Sequence, residues 1–237
     1  MQYSTFAAID IGSYDVILEI FEISKKQGIR SVDKICHRME LGKDTYTLGK
    51  IRPEMEEELC RVLADFVRIM EDYRVDDYRA TASSAISEAS NSLYVLGKIH
   101  QLTGLSVTVL SNSEQRFLSY KALAAMEDNF NKIIEKGTAI LDLDGGSFQI
   151  SLFDKDALVT TQNIRMGSLR IRERLAGIQS ETEHYEEMVE ELIWNEVSSF
   201  KKMYLKDRKI KEDGDKRILH SKSKAYAKVI GSFNFFE

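Results

Sequence analysis

Apolar positions in the first half of the chain switch between two periods, and the switching predicts an α/β domain. An apolar run ends at Asp10 and Gly12, and residues 14–24 then alternate apolar with polar, as in a strand, a tight turn and a second strand. Pro53 opens a stretch with helical apolar spacing and an acidic first turn. The predicted elements are strands at 4–12, 14–24, 29–42, 76–82 and 105–110 and helices at 53–73, 83–104 and 111–128.

The opening pattern returns in the second half of the chain. Residues 138–154 again read as strand, turn and strand, and residues 156–167 read as a third strand. A long helix with an acidic start and a basic end is predicted over residues 180–211, because such charges complement the helix dipole. The second half therefore begins like the first, with three strands in a row.

The two openings align without a gap. Asp10 and Asp142 occupy matching places 132 residues apart, and the stretches IDIGSYDVILEIF and LDLDGGSFQISLF share their apolar positions. A repeat of this size predicts two similarly folded lobes, residues 1–128 and 129–237. The linker is expected near residues 128–137, where the periodicity fades.

The composition argues against some classes of protein but does not identify the function. Hydrophobic residues make up 43% and charged residues 30% of the 237 residues, and the net charge of −5 argues against a general nucleic-acid or membrane binder. Cys36 and Cys60 provide neither a disulfide framework nor a metal cluster, and they suit a reducing cytoplasm. No signal peptide and no run of about 18 apolar residues is seen, so a cytoplasmic protein is expected.

Five segments, in order, resemble the exopolyphosphatase and guanosine-pentaphosphate phosphatase family (Ppx/GppA). FAAIDIGSYD resembles the family start FAAIDLGSNS, and ATASSAISEASN resembles its T-S-A-L-R-E-A-x-N segment. VLSNSEQRFLSYKAL resembles I-S-G-x-E-E-A-R-L-x-Y-x-G, LDLDGGSFQISLF resembles V-D-I-G-G-G-S-T-E-L, and IRMGSLRI resembles M-G-x-V-R. The resemblance runs from Tyr3 to about Leu175.

This resemblance implies an α/β, actin-like (ribonuclease H-like) fold. Two duplicated lobes, each with a mixed five-stranded sheet and helices, would face a cleft. The family continues with further strands and helices beyond the point where this sequence stops, so the second lobe is expected to be incomplete. An open lobe leaves apolar surface and a sheet edge to be covered, which favours a homodimer or a further domain.

The resemblance also gives the two turns a role. Gly12-Ser13 would form one phosphate loop and Gly145-Gly146-Ser147 the other, with backbone N–H groups directed at phosphate and glycine allowing close approach. Asp10 and Asp142, at the strand ends, would hold Mg²⁺ through water, because hard cations prefer carboxylate oxygens. An ordinary hairpin with capping aspartates is the alternative interpretation of either turn alone.

The position of the family's general base differs in this chain. The second glutamate of the Glu-Glu-Ala segment aligns with Gln115 and the first with Glu114. An amide cannot accept a proton at neutral pH, so general-base assistance worth about 10²–10⁴-fold would be lost. Glu114 is a candidate substitute, but it lies about 100° around the helix and completes a capping box with Ser111. We therefore expect Glu114 to cap the helix.

Further departures lie in the same segments. They are Ser87 for a family arginine, Tyr14 and Asp15 in the first turn, Asp144 for a loop glycine, Gln149 for a glutamate, and VIGSFNF at 229–235 for a Gly-x-x-Gly-Thr turn. Two functions remain open. One is Mg²⁺-dependent hydrolysis of a phosphoanhydride, with polyphosphate or guanosine pentaphosphate as the substrate that the resemblance implies. The other is a non-catalytic descendant that binds phosphate, a nucleotide or a protein.

Overall fold

The fold divides into two compact units. The computed structural model describes residues 3–126, 134–135, 138–176, 184–204 and 218–221. The division falls between Gln115 and Arg116. The predicted linker at 128–137 and the predicted domain boundary after residue 128 lie largely outside the described residues, and that boundary stays a prediction.

A five-stranded mixed sheet forms the centre of the first unit, as expected. Its order is β3-β2-β1-β4-β5, with β1 antiparallel to β2 and parallel to β4. The strands are β1 Ser4–Ile11, β2 Asp15–Ser24, β3 Gly28–Arg38, β4 Asp77–Ala82 and β5 Val107–Val109. The helices are α1 Leu41–Leu48, α2 Pro53–Asp72, α3 Ser84–Ser87 and α4 Ser92–Thr103, and α5 Asn112–Met126 contains the division between the units.

One face of this sheet carries the core of the first unit. Ile9, Ile11 and Leu18 are fully buried there. They belong to one cluster with the apolar stripes of α1, α2 and α4. Because side chains alternate along a strand, Asp10 points to the other face, where it is exposed. The strand pattern thus places the carboxylate opposite the core helices.

The sequence reading was wrong about the segment at 83–104, which is two helices and not one. The break at residues 88–91 comes from distant contacts: the Asn91 side chain donates to Ile51 O at 2.8 Å and accepts from Ile51 N at 3.0 Å. Helix α1 was also missed, because the third strand was predicted to continue to residue 42. The strand ends at Arg38 instead, and the chain turns through Glu40 at φ 54°. At both positions, tertiary hydrogen bonds determine the secondary structure and override the local sequence pattern.

The second unit is built on a second mixed sheet with order β8-β7-β6-β9. Its strands are β6 Thr138–Leu143, β7 Phe148–Asp154, β8 Ala157–Ile164 and β9 Ile218–Ser221, and its helices are α6 Ser168–Leu175 and α7 Tyr185–Tyr204. These four strands are those of the described residues, whereas five were expected. The long predicted helix is confirmed as α7, while residues 180–183 and 205–211 of that prediction lie outside the described residues.

Both faces of the second sheet are covered within this unit. Leu141, Phe148 and Ile150 point to a core shared with α6 and α7. Ile140 and Phe153 point to the opposite face and pack against Tyr120 and Leu123 of α5. Asp142, Gln149 and Ser151 share that α5 face by strand alternation.

The internal repeat holds at the level of strand register. Asp10 pairs with Ile17 in the first hairpin, and Asp142 pairs with Gln149 in the second, so both pairs are 132 residues apart. The irregularities in the next ladder match as well, at Ile20/Phe21 and Leu152/Phe153. Matching register and matching bulges confirm that the two openings are the same supersecondary unit.

Candidate functional site

The first hairpin turn runs from Gly12 to Asp15. Gly12 N donates to Asp15 O at 3.0 Å, which closes the turn. A Cβ atom on residue 12 would lie 2.9 Å from that same carbonyl oxygen, closer than real Cβ contacts allow. A side chain at position 12 would therefore force this turn to shift, because two backbone segments approach closely there.

The second turn, Asp144 to Ser147, repeats this closure. Asp144 N donates to Ser147 O at 3.0 Å, which is the Gly12–Asp15 bond displaced by 132 residues. Asp144 thus stands where the first turn has glycine. Among the described residues the glycines with positive φ are Gly28, Gly49 and Gly104, so neither turn depends on left-handed glycine.

A short helix behind each turn binds its carbonyl groups. Gly42 N, in the first turn of α1, donates to Ser13 O at 2.9 Å. Leu169 N and Arg170 N, in the first turn of α6, donate to Gly145 O at 3.0 and 3.1 Å. Ser13 and Gly145 are equivalent in the repeat. The helix following the third strand therefore holds the same carbonyl in both units.

The next carbonyl of each turn is also hydrogen-bonded. Tyr14 O accepts from Met39 N at 3.1 Å and from Glu40 N at 2.9 Å, and Gly146 O accepts from Arg170 Nε at 2.9 Å. In a trans peptide the N–H of the following residue points opposite to the carbonyl. The amide groups after these carbonyls therefore point away from residues 39–40 and from Arg170.

A polar row lies beside the second turn on the α5 face of the sheet. Asp142, Gln149 and Asn163 are in register across β6, β7 and β8. The Ser119 hydroxyl donates to Asp142 Oδ2 at 2.9 Å, and Asn163 Nδ2 donates to Ser147 Oγ at 3.2 Å. Side chains from α5 and β8 thus fix one carboxylate and one turn hydroxyl.

A pocket of about 100 Å³ opens between α5 and this row. Asp142, Gln149, Ser119 and Ser151 supply its polar wall, and Ile140 and Leu123 belong to its apolar wall. Gln149 is 8% exposed, so its amide faces the protein interior. The pocket joins the polar row to a connected set of hydroxyl groups.

Those hydroxyl groups form a chain across the α5 face. Tyr120 OH donates to Ser151 Oγ, Ser151 Oγ bonds Thr161 Oγ1 at 3.2 Å, and Arg116 Nη1 donates to Thr161 Oγ1 at 3.1 Å. Ser151 is 1% exposed, and buried hydroxyls of this kind are stable only when they are bonded. These hydrogen bonds between hydroxyl groups therefore hold α5 against the sheet.

The hydroxyl of Ser13 is buried behind the first turn. Ser13 Oγ lies 2.6 Å from Tyr46 OH and 3.3 Å from Ser84 Oγ, and the latter two are 2.8 Å apart. Its neighbour Tyr14 is turned toward Arg38, whose guanidinium lies 4.5 Å from the ring centroid and donates to Tyr14 OH at 2.5 Å. The side chains of this turn are thus anchored to the first unit.

Glu114 forms the capping box that its sequence position predicts. Its carboxylate Oε2 accepts from Ser111 N at 2.8 Å and from Ser111 Oγ at 2.7 Å, and Glu114 N donates to Ser111 Oγ. The cap prediction is confirmed. Gln115 lies in the same first turn of α5, half-buried, with its N–H bonded to Ser111 O.

These hydrogen bonds lower the pKa of Glu114 from its ordinary value of 4.5, with the Ser111 N–H as the largest cause and the hydroxyl as the next. A lowered pKa means that the cap stabilises the fold fully at neutral pH and fades as the pH falls below 4.5 through the lowered value. We expect Ser111→Ala to raise the Glu114 pKa toward 4.5, measured by carboxyl NMR titration. A Glu114 pKa near 7, as a general base needs, would contradict the cap role.

A divalent cation fits the donor chemistry of these residues only through water. Within the described residues no three His, Cys, Asp or Glu side chains cluster into a metal site. Asp142 is half-buried beside an amide and two hydroxyls, an all-oxygen environment that suits Mg²⁺ rather than a soft metal. The metal roles of Asp10 and Asp142 therefore stay predictions, with most ligands supplied by water.

The sequence pattern did not predict several residues of the site. Ser119, Asn163 and Arg170 were not predicted, although Arg170 ends the quoted M-G-x-V-R segment, which was a usable signal. Tyr46 carries no motif, and its contact with Ser13 spans 33 positions of sequence. The described part of the chain also contains no helix that is long and apolar enough to cross a membrane.

Comparisons with solved structures identify the fold. An exopolyphosphatase from Cytophaga hutchinsonii superposes with a TM-score of 0.72 at 20% identity, over 86% of this chain and 64% of that one. The Ppx/GppA family member of Aquifex aeolicus gives 0.63 at 23% identity, over 84% and 63%. These likenesses confirm the α/β, actin-like fold class.

Sequence comparisons identify the family. Exopolyphosphatase 1 of Mycobacterium leprae is 25% identical over 144 residues, which cover 60% of this chain and 41% of that protein. A bifunctional 3-dehydroquinate synthase/phosphatase of Fusobacterium nucleatum is 22% identical over 174 residues, covering 71% and 26%. The chain thus spans less than half of either curated relative. The Ppx/GppA phosphatase family matches residues 19–226, and the chain belongs to that family.

Proposed function

We propose that this protein binds inorganic phosphoanhydrides, polyphosphate among them, and hydrolyses them slowly or not at all. The observation that carries the proposal is the duplicated turn. Both turns close with the same bond, and both have their carbonyls bound from behind by a helix start. Peptide groups held in this way offer N–H donors to an anion without reorganisation.

Slow hydrolysis is inferred from the start of α5. Gln115 replaces the residue that would accept the proton of the attacking water, and an amide has no basic site at neutral pH. Glu114 does not take over, because its carboxylate accepts two bonds from Ser111 and its pKa is lowered. A carboxylate stabilised as the anion is a weaker base, so both positions argue for binding without efficient turnover.

A hydrated Mg²⁺ is part of the proposal. The sequence predicts Asp10 and Asp142 as its carboxylate partners, and such an ion would neutralise charge on the phosphate oxygens. Asp15 and Asp144 place a further carboxylate in each turn. Carboxylates and a polyanion repel one another unless a cation lies between them.

We expect tripolyphosphate to bind in the presence of Mg²⁺ and to bind at least about tenfold more weakly in EDTA, because the carboxylates then face the anion directly. Isothermal titration calorimetry measures both affinities. Asp142→Asn should reduce the Mg²⁺ dependence. Glu190→Gln, an exposed change on α7, is the control and should leave it intact. Equal affinity in Mg²⁺ and EDTA would contradict the metal requirement.

The second part of the proposal, that hydrolysis is slow or absent, is tested by measuring phosphate release from polyphosphate and from guanosine pentaphosphate with Mg²⁺. No release together with measurable binding supports the non-catalytic interpretation. Rapid release by the wild-type chain would overturn it in favour of an active hydrolase. Absence of binding to any phosphoanhydride would favour the remaining alternative, a scaffold that binds a protein.

Two further expectations belong to this proposal. We expect a reducing compartment such as the cytoplasm, which suits Cys36 and Cys60, neither of which is in a disulfide bond. The homodimer expected from the sequence also stays a prediction, and light scattering of the purified chain measures it directly.

A further inference from the structure

We propose that Arg116 binds the phosphate group held at the second turn, through its guanidinium. This inference rests on the proposed phosphate function and names the side chain that would favour an anion at a turn otherwise flanked by Asp142 and Asp144. A planar guanidinium presents paired N–H donors that match two phosphate oxygens.

The first step is the placement of Arg116 on α5. Arg116, Ser119, Tyr120 and Leu123 follow the i, i+3, i+4, i+7 spacing of one helix face. Three of them hydrogen-bond to the sheet, at Thr161, Asp142 and Ser151, and Leu123 packs against it. The guanidinium therefore lies on the sheet side of the helix.

The second step is the direction of the turn amides. The carbonyls of Gly145 and Gly146 are bound by Leu169 and Arg170 of α6. Helix α6 packs on the sheet face opposite α5. The N–H groups of Gly146 and Ser147 consequently point toward the α5 face, because each is opposite its preceding carbonyl. An anion bound to these amides lies on the same side as Arg116.

The third step is reach. Arg116 Nη1 bonds Thr161 Oγ1, and Thr161 precedes Asn163 by two residues on β8. Same-face neighbours on a strand are about 7 Å apart. Asn163 in turn donates to Ser147 Oγ in the turn. An arginine side chain spans that distance by a rotamer change that exchanges the Thr161 bond for bonds to the phosphate.

The fourth step is a departure of this chain from the family segment quoted above. The quoted family segment reads Glu-Glu-Ala-Arg, whereas this chain reads Glu114-Gln115-Arg116-Phe117. Moving the arginine by one residue rotates it about 100° around the helix. Position 117 is 56% exposed, whereas Arg116 is half-buried against the sheet. The shift brings a cation to the face where the turn amides point.

The test measures tripolyphosphate affinity by calorimetry with Mg²⁺ at low and high KCl. Arg116→Ala should weaken binding by about tenfold or more, because a hydrogen-bonded charge pair is lost. Arg116→Lys should have an affinity between those of wild type and Arg116→Ala, because lysine keeps the positive charge but lacks the paired N–H donors of a guanidinium. Arg174→Ala, an exposed arginine of α6, is the matched control and should change affinity less than twofold.

Salt dependence separates binding from a merely structural role. Loss of a guanidinium that contacts the anion should make the affinity less sensitive to KCl, whereas a packing defect leaves that sensitivity unchanged. Arg116→Gln retains a donor for Thr161, so it keeps the test valid if the alanine variant unfolds. If Arg116→Gln binds tripolyphosphate with wild-type affinity, the role of Arg116 in binding is wrong, whereas the proposed phosphate function is unaffected. No binding by the wild-type chain would overturn the phosphate function itself.

Discussion

Replacing Gln115 by glutamate is expected to raise the rate of phosphate release from polyphosphate by about 10²–10⁴-fold, the usual value of a positioned general base. The change adds one carboxylate of nearly the same shape. Gln115 lies in the first turn of α5 with its backbone already bonded to Ser111 O. Acidic side chains are favourable at this end of a helix, so the fold should be retained.

The measurement is Mg²⁺-dependent phosphate release by wild type, Gln115→Glu and two controls. Gln27→Glu adds the same charge at an exposed turn position and should leave the rate at the wild-type level. Adding Glu114→Gln to the Gln115→Glu variant should keep most of the gain, because Glu114 is committed to the cap.

A rate that stays at the wild-type level in Gln115→Glu, with tripolyphosphate still bound, would contradict the lost-base explanation. The defect would then lie in the other departures, such as the added carboxylate of Asp144. A gain that disappears when Glu114 is also replaced would give Glu114 a catalytic part and contradict its role as a cap alone.

Local pattern was sufficient to predict the repeated hairpins. Alternation with period two fixes which side chains share a face, so placing Asp10 and Asp142 at equivalent strand ends needed no tertiary information. The same holds for the Glu114 cap, which joins residues three positions apart. Features of this kind are encoded within one element and survive any arrangement of the rest.

Features that depend on distant partners could not be predicted. The break between α3 and α4 is set by Asn91 bonding to Ile51, 40 residues away. The polar row at the second turn needs the register of β7 with β8, which brings Asn163 beside Gln149. No spacing rule within the sequence contains such a pairing, because it is decided by packing.

Replacing Gly167 by alanine is expected to disrupt the second turn. Gly167 is the N-cap of α6, with φ −71°, so its backbone suits any residue. Space is the constraint, since a Cβ atom there would overlap Asp144 O and the backbone of Gly145. Overpacking against a fixed backbone costs about 1–3 kcal/mol or more, and we expect the upper part of that range.

The experiment is urea unfolding followed by the fluorescence of Trp194, the single tryptophan of the chain, which lies on α7 in the second unit. Gly167→Ala should lower the midpoint of this transition. Gly97→Ala is the matched control, because Gly97 lies inside α4 with no atom within 4 Å of an added Cβ. That change should stabilise the first unit by roughly 0.5–1 kcal/mol and leave the Trp194 transition unchanged.

The same variant links the packing of α6 to phosphate binding. Ser168 N, Leu169 N and Arg170 N all bond to carbonyls of the second turn, and these bonds set the direction of its amides. If the extra methyl group displaces the turn, tripolyphosphate affinity should fall by about tenfold or more even where the variant remains folded. A lowered Trp194 midpoint with unchanged tripolyphosphate affinity in Gly167→Ala would mean that the turn moves without affecting binding, and the amides of Gly146 and Ser147 would then not be the anion donors.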